Sequence, residues 1–152
     1  RPIANAAVVN ADVNTAMFQS DKTLGVDLAK ERFLGAIADI DYLLDNYAEI
    51  SQGGGDNVRR YLGTVGVTSR MYGMRKVLKE LREEADDVIE FTETSNDFEA
   101  YWNQAEGAAY QSLFAEHSSA KSTPESLLKL AKKDVQSMRK YMGDLADQLH
   151  LQ

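Results

Sequence analysis

Phe33, Ile37, Ile40, Leu44 and Tyr47 recur at steps of four, three, four and three residues. Winding into an α-helix brings that spacing onto one face. The periodicity returns three more times along the chain. Val58, Leu62, Val65 and Tyr72 share a face, and the stripe then moves to Met74, Leu78, Leu81, Ala85 and Val88. Phe98, Trp102, Ala105, Ala109 and Leu113 form a third stripe. Leu127, Ala131, Val135, Met138, Met142, Leu145 and Leu149 form a fourth, the most regular of the set. No strand signal competes with these stretches. Short connectors force antiparallel neighbours, so the expected fold is all-α, an up-down-up-down four-helix bundle over residues 26–152.

Punctuation between the stripes predicts where each helix begins and ends. Only two prolines occur, Pro2 and Pro124, and neither interrupts a periodic stretch. Gly53-Gly54-Gly55 ends the first helix, and Asp56 is placed to cap the next. Gly63, Gly66 and Gly73 weaken the second stretch, each costing about 1 kcal/mol against alanine in a helix interior. An unbroken helix over 56–93 would reach roughly 55 Å, so a kink or break is expected near Gly73. Ser95 or Asn96 is expected to cap the third helix, with Ser118 and Ser119 marking its end. Ser122-Thr123-Pro124-Glu125 is the clearest start signal, with Ser122 as cap, Pro124 in the first turn and Glu125 completing a capping box. Residues 1–25 lack clean periodicity and are read as a loosely ordered N-terminal arm with room for a helical turn or two.

A chain of 152 residues with 43% hydrophobic content fits one domain with one core. No apolar run approaches the roughly 18 residues of a spanning helix, so none is expected. The opening residue, Arg1 rather than Met, carries the expectation of a trimmed precursor or a recombinant product, and no separate secretion signal is read. The absence of cysteine excludes disulfides, thiolate metal sites, thiol nucleophiles and cysteine-borne lipids from this sequence. A net charge of −7 argues against general nucleic-acid binding.

Little in the sequence points to catalysis. His117 and His150 are the only histidines. Asp147 and His150 make a single Asp-x-x-His pair near the C-terminus, whereas di-iron bundles need two such motifs and two more inward glutamates. No serine lies in a nucleophile-elbow context. The Gly53–Gly55 run lacks the Gly-Lys-Ser/Thr of a phosphate loop. Glu83, Glu84, Asp86 and Asp87 point around several directions of a helix and read as a solvated face. Tyr42, Tyr47, Tyr61, Tyr72, Tyr101, Tyr110 and Tyr141 are expected to fill the core with their hydroxyls at its rim. The expectation is therefore a non-enzyme without metal or cofactor.

Charge is distributed unevenly. Arg59, Arg60, Arg70, Arg75, Lys76 and Lys79 fall in a stretch with no acid, whereas no Lys or Arg occurs between Glu83 and Ala120, where acids are frequent. Two readings follow. The basic segment pairs with its acidic neighbour inside the bundle, or it forms a face that docks on an acidic partner. Docking of the second kind weakens in salt, because the Debye length falls from about 10 Å at 0.1 M to about 3 Å at 1 M.

Three stretches carry a family resemblance. They are Val58-Arg59-Arg60-Tyr61-Leu62 running on to Arg70-Met71-Tyr72-Gly73-Met74-Arg75, the segment Phe98 to Leu113 with Tyr101, Trp102 and Tyr110 among alanines, and the basic set Lys129, Lys132, Lys133, Arg139 and Lys140. With the arm and the four stripes, the chain resembles the PsbQ-like extrinsic lumenal proteins of photosystem II, most of all the diatom members. The resemblance covers residues 26–150. It implies a non-catalytic protein of the chloroplast thylakoid lumen, monomeric when free and peripheral to the membrane through protein contacts. Its partners would be the lumenal surface of the photosystem II core and the other extrinsic subunits. It would support oxygen evolution by stabilising the manganese–calcium cluster and its ion environment without ligating the cluster. Docking is assigned to the six basic residues from Arg59 to Lys79, with the arm as a second contact. The chain departs from the family in lacking a proline-rich arm, in lacking the lipid-bearing cysteine of cyanobacterial relatives, and in being acidic where several relatives are basic. Two alternatives share the derived features: a helical adaptor outside photosynthesis, and a small-molecule or metal carrier with its site in the bundle core. The apolar stripes disfavour the carrier.

Overall fold

Asn46 divides the first expected helix in two. In the computed structural model, which describes residues 25–115 and 122–151, the Asn46 side chain donates to the Tyr42 carbonyl at 2.9 Å while its own N–H approaches the same oxygen at 3.1 Å. A side-chain amide that competes for helix carbonyls ends the helix locally. The result is α1 (Val26–Asp45) followed by the short α2 (Tyr47–Gln52). The described residues are all-helical. They form six α-helices rather than the expected four, and none of these is long and apolar enough to cross a membrane.

The next helix, α3 (Gly55–Tyr61), is capped by Gly54 at φ 93°, and Asp56 sits in its first turn instead of at the cap. Asn57 donates to the Ile50 carbonyl at 2.8 Å and so satisfies an open group at the end of α2. Residues 62–73 are a chain of turns. Gly63, Gly66 and Gly73 all have φ between 71° and 76°, a left-handed region that glycine enters without penalty. The break expected near Gly73 is therefore present, and it extends back through this whole link. Helix α4 (Met74–Leu81) continues into a single 3-10 turn, Arg82–Glu84.

The third long helix starts eight residues earlier than a cap at Ser95 would place it. Asp87 caps α5 (Val88–Ser112), its carboxylate accepting from the Glu90 N–H at 3.0 Å. Ser95 and Asn96 lie inside this helix because Phe91 already belongs to the buried stripe. Helix α6 (Pro124–Gln148) keeps Pro124 in its first turn, but the capping box is Thr123 with Ser126, not Ser122 with Glu125. Its far end is held as well. His150 takes φ 59°, the Leu151 N–H bonds the Ala146 carbonyl, and the His150 N–H bonds that of Asp147. That double closure is a Schellman motif, so the helix end that carries His150 is capped. Ser118, Ser119 and His117 lie outside the described residues, as does the arm over residues 1–24.

Side-chain pairs give the directions of the helices. Gln148 meets Thr94 and Tyr141 stacks on Tyr101, so α5 and α6 run antiparallel over their largest shared interface. Arg139 bonds Asp41 on α1 while Leu128 receives the Tyr47 hydroxyl from the start of α2, so α1 and α2 together run antiparallel to α6. Between them lies a core of Phe33, Leu43, Leu62, Met74, Phe98 and Met138, all fully buried. Each such side chain contributes about 1.5–3 kcal/mol. Leu43 faces this core where the sequence pattern favoured Leu44, a shift of one residue within the same turn.

Tyr47 is the one tyrosine drawn fully into the core among the described residues, and its hydroxyl donates to the Leu128 carbonyl. Burial pushes its phenol up to about 12. The folded value lies above the ordinary value of about 10, so this contribution to stability is complete below pH 10 and is lost as the pH rises toward 12. Alkaline titration is expected to remove roughly 1.4 kcal/mol per pH unit in that window. Phenolate absorbance and helicity should then change together, whereas a Tyr47→Phe chain should lose this part of the alkaline transition.

Candidate functional site

The six basic residues singled out in the sequence separate into two groups. Arg59 on α3 donates from Nε to both carboxylate oxygens of Glu106 at 2.8 and 3.0 Å, and from Nη1 to Asp56 at 2.9 Å. Its guanidinium also lies 4.9 Å above the Tyr110 ring. Glu106 first, and Asp56 after it, hold the Arg59 proton more firmly than usual. Arg75 pairs with Glu99, donates to Asn103 at 3.2 Å, and sits 4.6 Å over the Trp102 ring. In these two residues the self-complementary reading of the charge pattern is realised: basic α3 and α4 bind acidic α5.

Arg70 has an internal role that the sequence did not suggest. Asp39 on α1 is completely buried. Its carboxylate accepts the Arg70 N–H at 2.8 Å, the Arg70 Nε–H at 3.1 Å, and a further bond from Nη2. Arg32, also buried, donates from Nη2 to the Arg70 and Tyr72 carbonyls at 3.4 and 3.3 Å. Burial pushes the Asp39 carboxyl up, against the hydrogen bonds from Arg70 that pull it down. Burial likewise lowers Arg32, helped by the nearby Arg70 charge. The stem of Arg70 crosses α1 at Gly35, where a β-carbon would lie 2.6 Å from Arg70 Cδ. On the opposite side, the Trp102 indole N–H donates to the Leu62 carbonyl at 2.8 Å. The glycine-rich link is thus clamped between α1 and α5.

What stays available to solvent is a ridge on α4. Lys79 is exposed and takes part in no ion pair among the described residues, and Arg60 is likewise exposed. Lys76 is half-buried. Arg82 was not among the six, yet it joins Arg75 and Lys79 at steps of four and three on one face of α4 and its 3-10 extension. Among the described residues it pairs with the adjacent Glu83 at 3.9 Å, both side chains being exposed. The spacing of 75, 79 and 82 was legible once a helix was assigned to the segment.

These three side chains line one wall of a cleft of about 150 Å³, with Leu78 behind them. Phe91, Thr92, Ser95, Asn96 and Glu99 of α5 make the other wall. A second, wider cleft of about 510 Å³ lies between α2 and the start of α6, bordered by Tyr47, Pro124, Leu128, Lys129 and Lys132. The carboxylate cluster has structural work: Asp87 caps α5, Glu84 lies 3.7 Å from Lys30, and Asp86 meets His150 Nε2 at 2.7 Å. Among the described residues no three histidines, aspartates or glutamates gather as a metal site would require. Comparisons with protein-family models, curated proteins and solved structures return no match for this chain.

Proposed function

We propose that this chain is a non-catalytic, PsbQ-like extrinsic subunit that docks on the lumenal face of photosystem II. In this reading the helices act as four rods in up-down-up-down order: α1 with α2, the broken pair α3 and α4, then α5, then α6. The observation that carries the proposal is the basic ridge of α4. In a chain of net charge −7, Lys79 and Arg82 stand exposed on one helix face while Arg59 and Arg70 are neutralised within the fold. Cations kept at the surface of an acidic protein favour an acidic partner surface, and they set orientation and encounter rate more than raw affinity. The protein would support oxygen evolution by covering the lumenal side of the manganese–calcium cluster and slowing loss of its ions.

The test is release and rebinding on photosystem II particles from a diatom, with oxygen evolution followed throughout. High salt should release the protein, and adding it back should restore activity. The structure moves the informative substitutions away from Arg59, whose reversal to glutamate would face Glu106 and disturb the α3–α5 contact. Lys79→Glu combined with Arg82→Glu is expected to weaken rebinding by about tenfold or more at low salt, with helicity and thermal midpoint unchanged. Full rebinding of that double variant removes the ridge from the docking surface. Failure of the parent chain to bind removes the photosynthetic assignment.

A further inference from the structure

We propose that the cleft between α4 and α5 is an anchor pocket for an acidic side chain of a protein partner, carried on a segment with apolar neighbours. The inference rests on the ridge reading above and assigns it a specific receptor. Arg75, Lys79 and Arg82 line the cleft with Glu99 as its one acid. Glu99 pairs with Arg75, and Glu83, just outside, lies 3.9 Å from Arg82, which leaves Lys79 as the cation with no ion pair among the described residues. The Arg75–Glu99 pair is itself open to water, with 57% and 36% of the two side chains exposed. Exposed pairs of this kind are worth at most about 1 kcal/mol, so an incoming carboxylate can share Arg75 at little cost.

The interior suits a side chain better than a bare ion. Leu78 and Phe91 are buried apolar residues at its base. A cleft of about 150 Å³ has room for one side chain with its carboxylate at the rim. One polar group on the α5 wall is unsatisfied: the Ser95 hydroxyl is shielded from solvent and has no hydrogen-bond partner. Such a group costs about 1–3 kcal/mol, and an acceptor carried into the cleft would offset that cost. Surface cations without a cavity would bind any anion equally. The apolar base and the orphaned hydroxyl distinguish a carboxylate on a peptide.

The experiment is an amide-resolved magnetic resonance titration of the whole chain with acetyl-Leu-Glu-Glu-Leu-amide, with the Gln-Gln peptide as control. The Glu peptide is expected to shift Thr92, Ser95 and Asn96 and to change Trp102 emission through Arg75. The Gln peptide should bind at least about tenfold more weakly, and Lys79→Ala with Arg82→Ala should lose a similar factor. Ser95→Ala should weaken the Glu peptide a few-fold while keeping or raising the thermal midpoint, since it removes an unsatisfied buried hydroxyl. Equal binding of the Gln peptide, or shifts that avoid α4 and α5, overturns the pocket. So does inorganic phosphate that competes fully and binds as tightly, because that result makes the site one for simple anions. If the peptide fails while the parent chain rebinds photosystem II and the charge-reversed chain does not, the pocket falls and the ridge stands. If the peptide binds the cleft and the chain does not rebind, the pocket stands and its partner lies elsewhere.

Discussion

Asp39→Ala is expected to cost this protein about 3 kcal/mol or more, the lower end of what breaking a buried ion pair costs. The loss comes from what is left behind. Arg70, with 27% of its side chain exposed, can swing toward water, but Arg32 is only 5% exposed and remains in the interior. Replacing all three members by apolar residues of similar size should cost far less, because a buried pair must first offset its own desolvation. Chemical denaturation of Asp39→Ala, Arg70→Ala and the double variant decides the matter. The double variant should lose clearly less than the sum of the single losses, and strict additivity would contradict the clamp described here. The pH dependence has a definite sign. Burial raises the folded pKa of Asp39, so its stabilising contribution is complete below the unfolded carboxylate value and declines as pH rises through the folded one. Asp39→Asn should therefore lag behind the parent chain more at acid pH than at neutral pH.

Gly55→Ala carries the second large expected effect. A β-carbon there would lie 2.1 Å from the Ala109 carbonyl oxygen and 2.4 Å from Ser112 Oγ. The first obstacle is backbone of α5, which cannot rotate aside, so α3 and α5 must separate. Overpacking of this severity costs about 3 kcal/mol, against a helix-propensity gain under about 1 kcal/mol. A thermal midpoint lower by roughly 4–12 °C should follow for a domain of this size. Gly66→Ala is the control. Position 66 has φ 71° with open space around it, so only the left-handed strain of about 1–2 kcal/mol applies. If the two substitutions prove equally costly, the close approach at Gly55 is not what demands glycine there.

The sequence pattern and the structure part company at identifiable residues. Val135, Met138, Met142 and Leu145 were placed in the core from their spacing, and all four are fully buried. Asp39 lies off the apolar stripe of Phe33, Ile37, Ile40 and Tyr47, yet Ala29, Arg32, Ala36, Asp39 and Leu43 form a second buried stripe at steps of three, four, three and four. Its helical spacing was visible in the sequence. Two charged members keep such a stripe from standing out as core, because a lone charge is rarely buried unless it has a partner. The partner, Arg70, is 31 residues away. The basic run shows the same limit. Its charge was legible, but its division into internal pairs and an exposed ridge depends on α5 being adjacent.

Helical class, the stripes of α4, α5 and α6, the start of α6 at Pro124 and the break at Gly73 follow from local chemistry. The stripe expected from Val58 through Val65 to Tyr72 does not form, because residues 62–73 are turns. Periodicity, proline geometry and glycine freedom act over a few residues and need no partner. Which cations are spent inside and which face water was decided only when the helices packed. Arg59 reaches Glu106 across 47 residues and Arg139 reaches Asp41 across 98, and no local signal records such distances. The cleft between α4 and α5 belongs to the same class of fact. Its walls come from consecutive helices, but it takes shape only as they pack, with Arg75 held by Glu99 and Trp102 while Lys79 and Arg82 face the solvent.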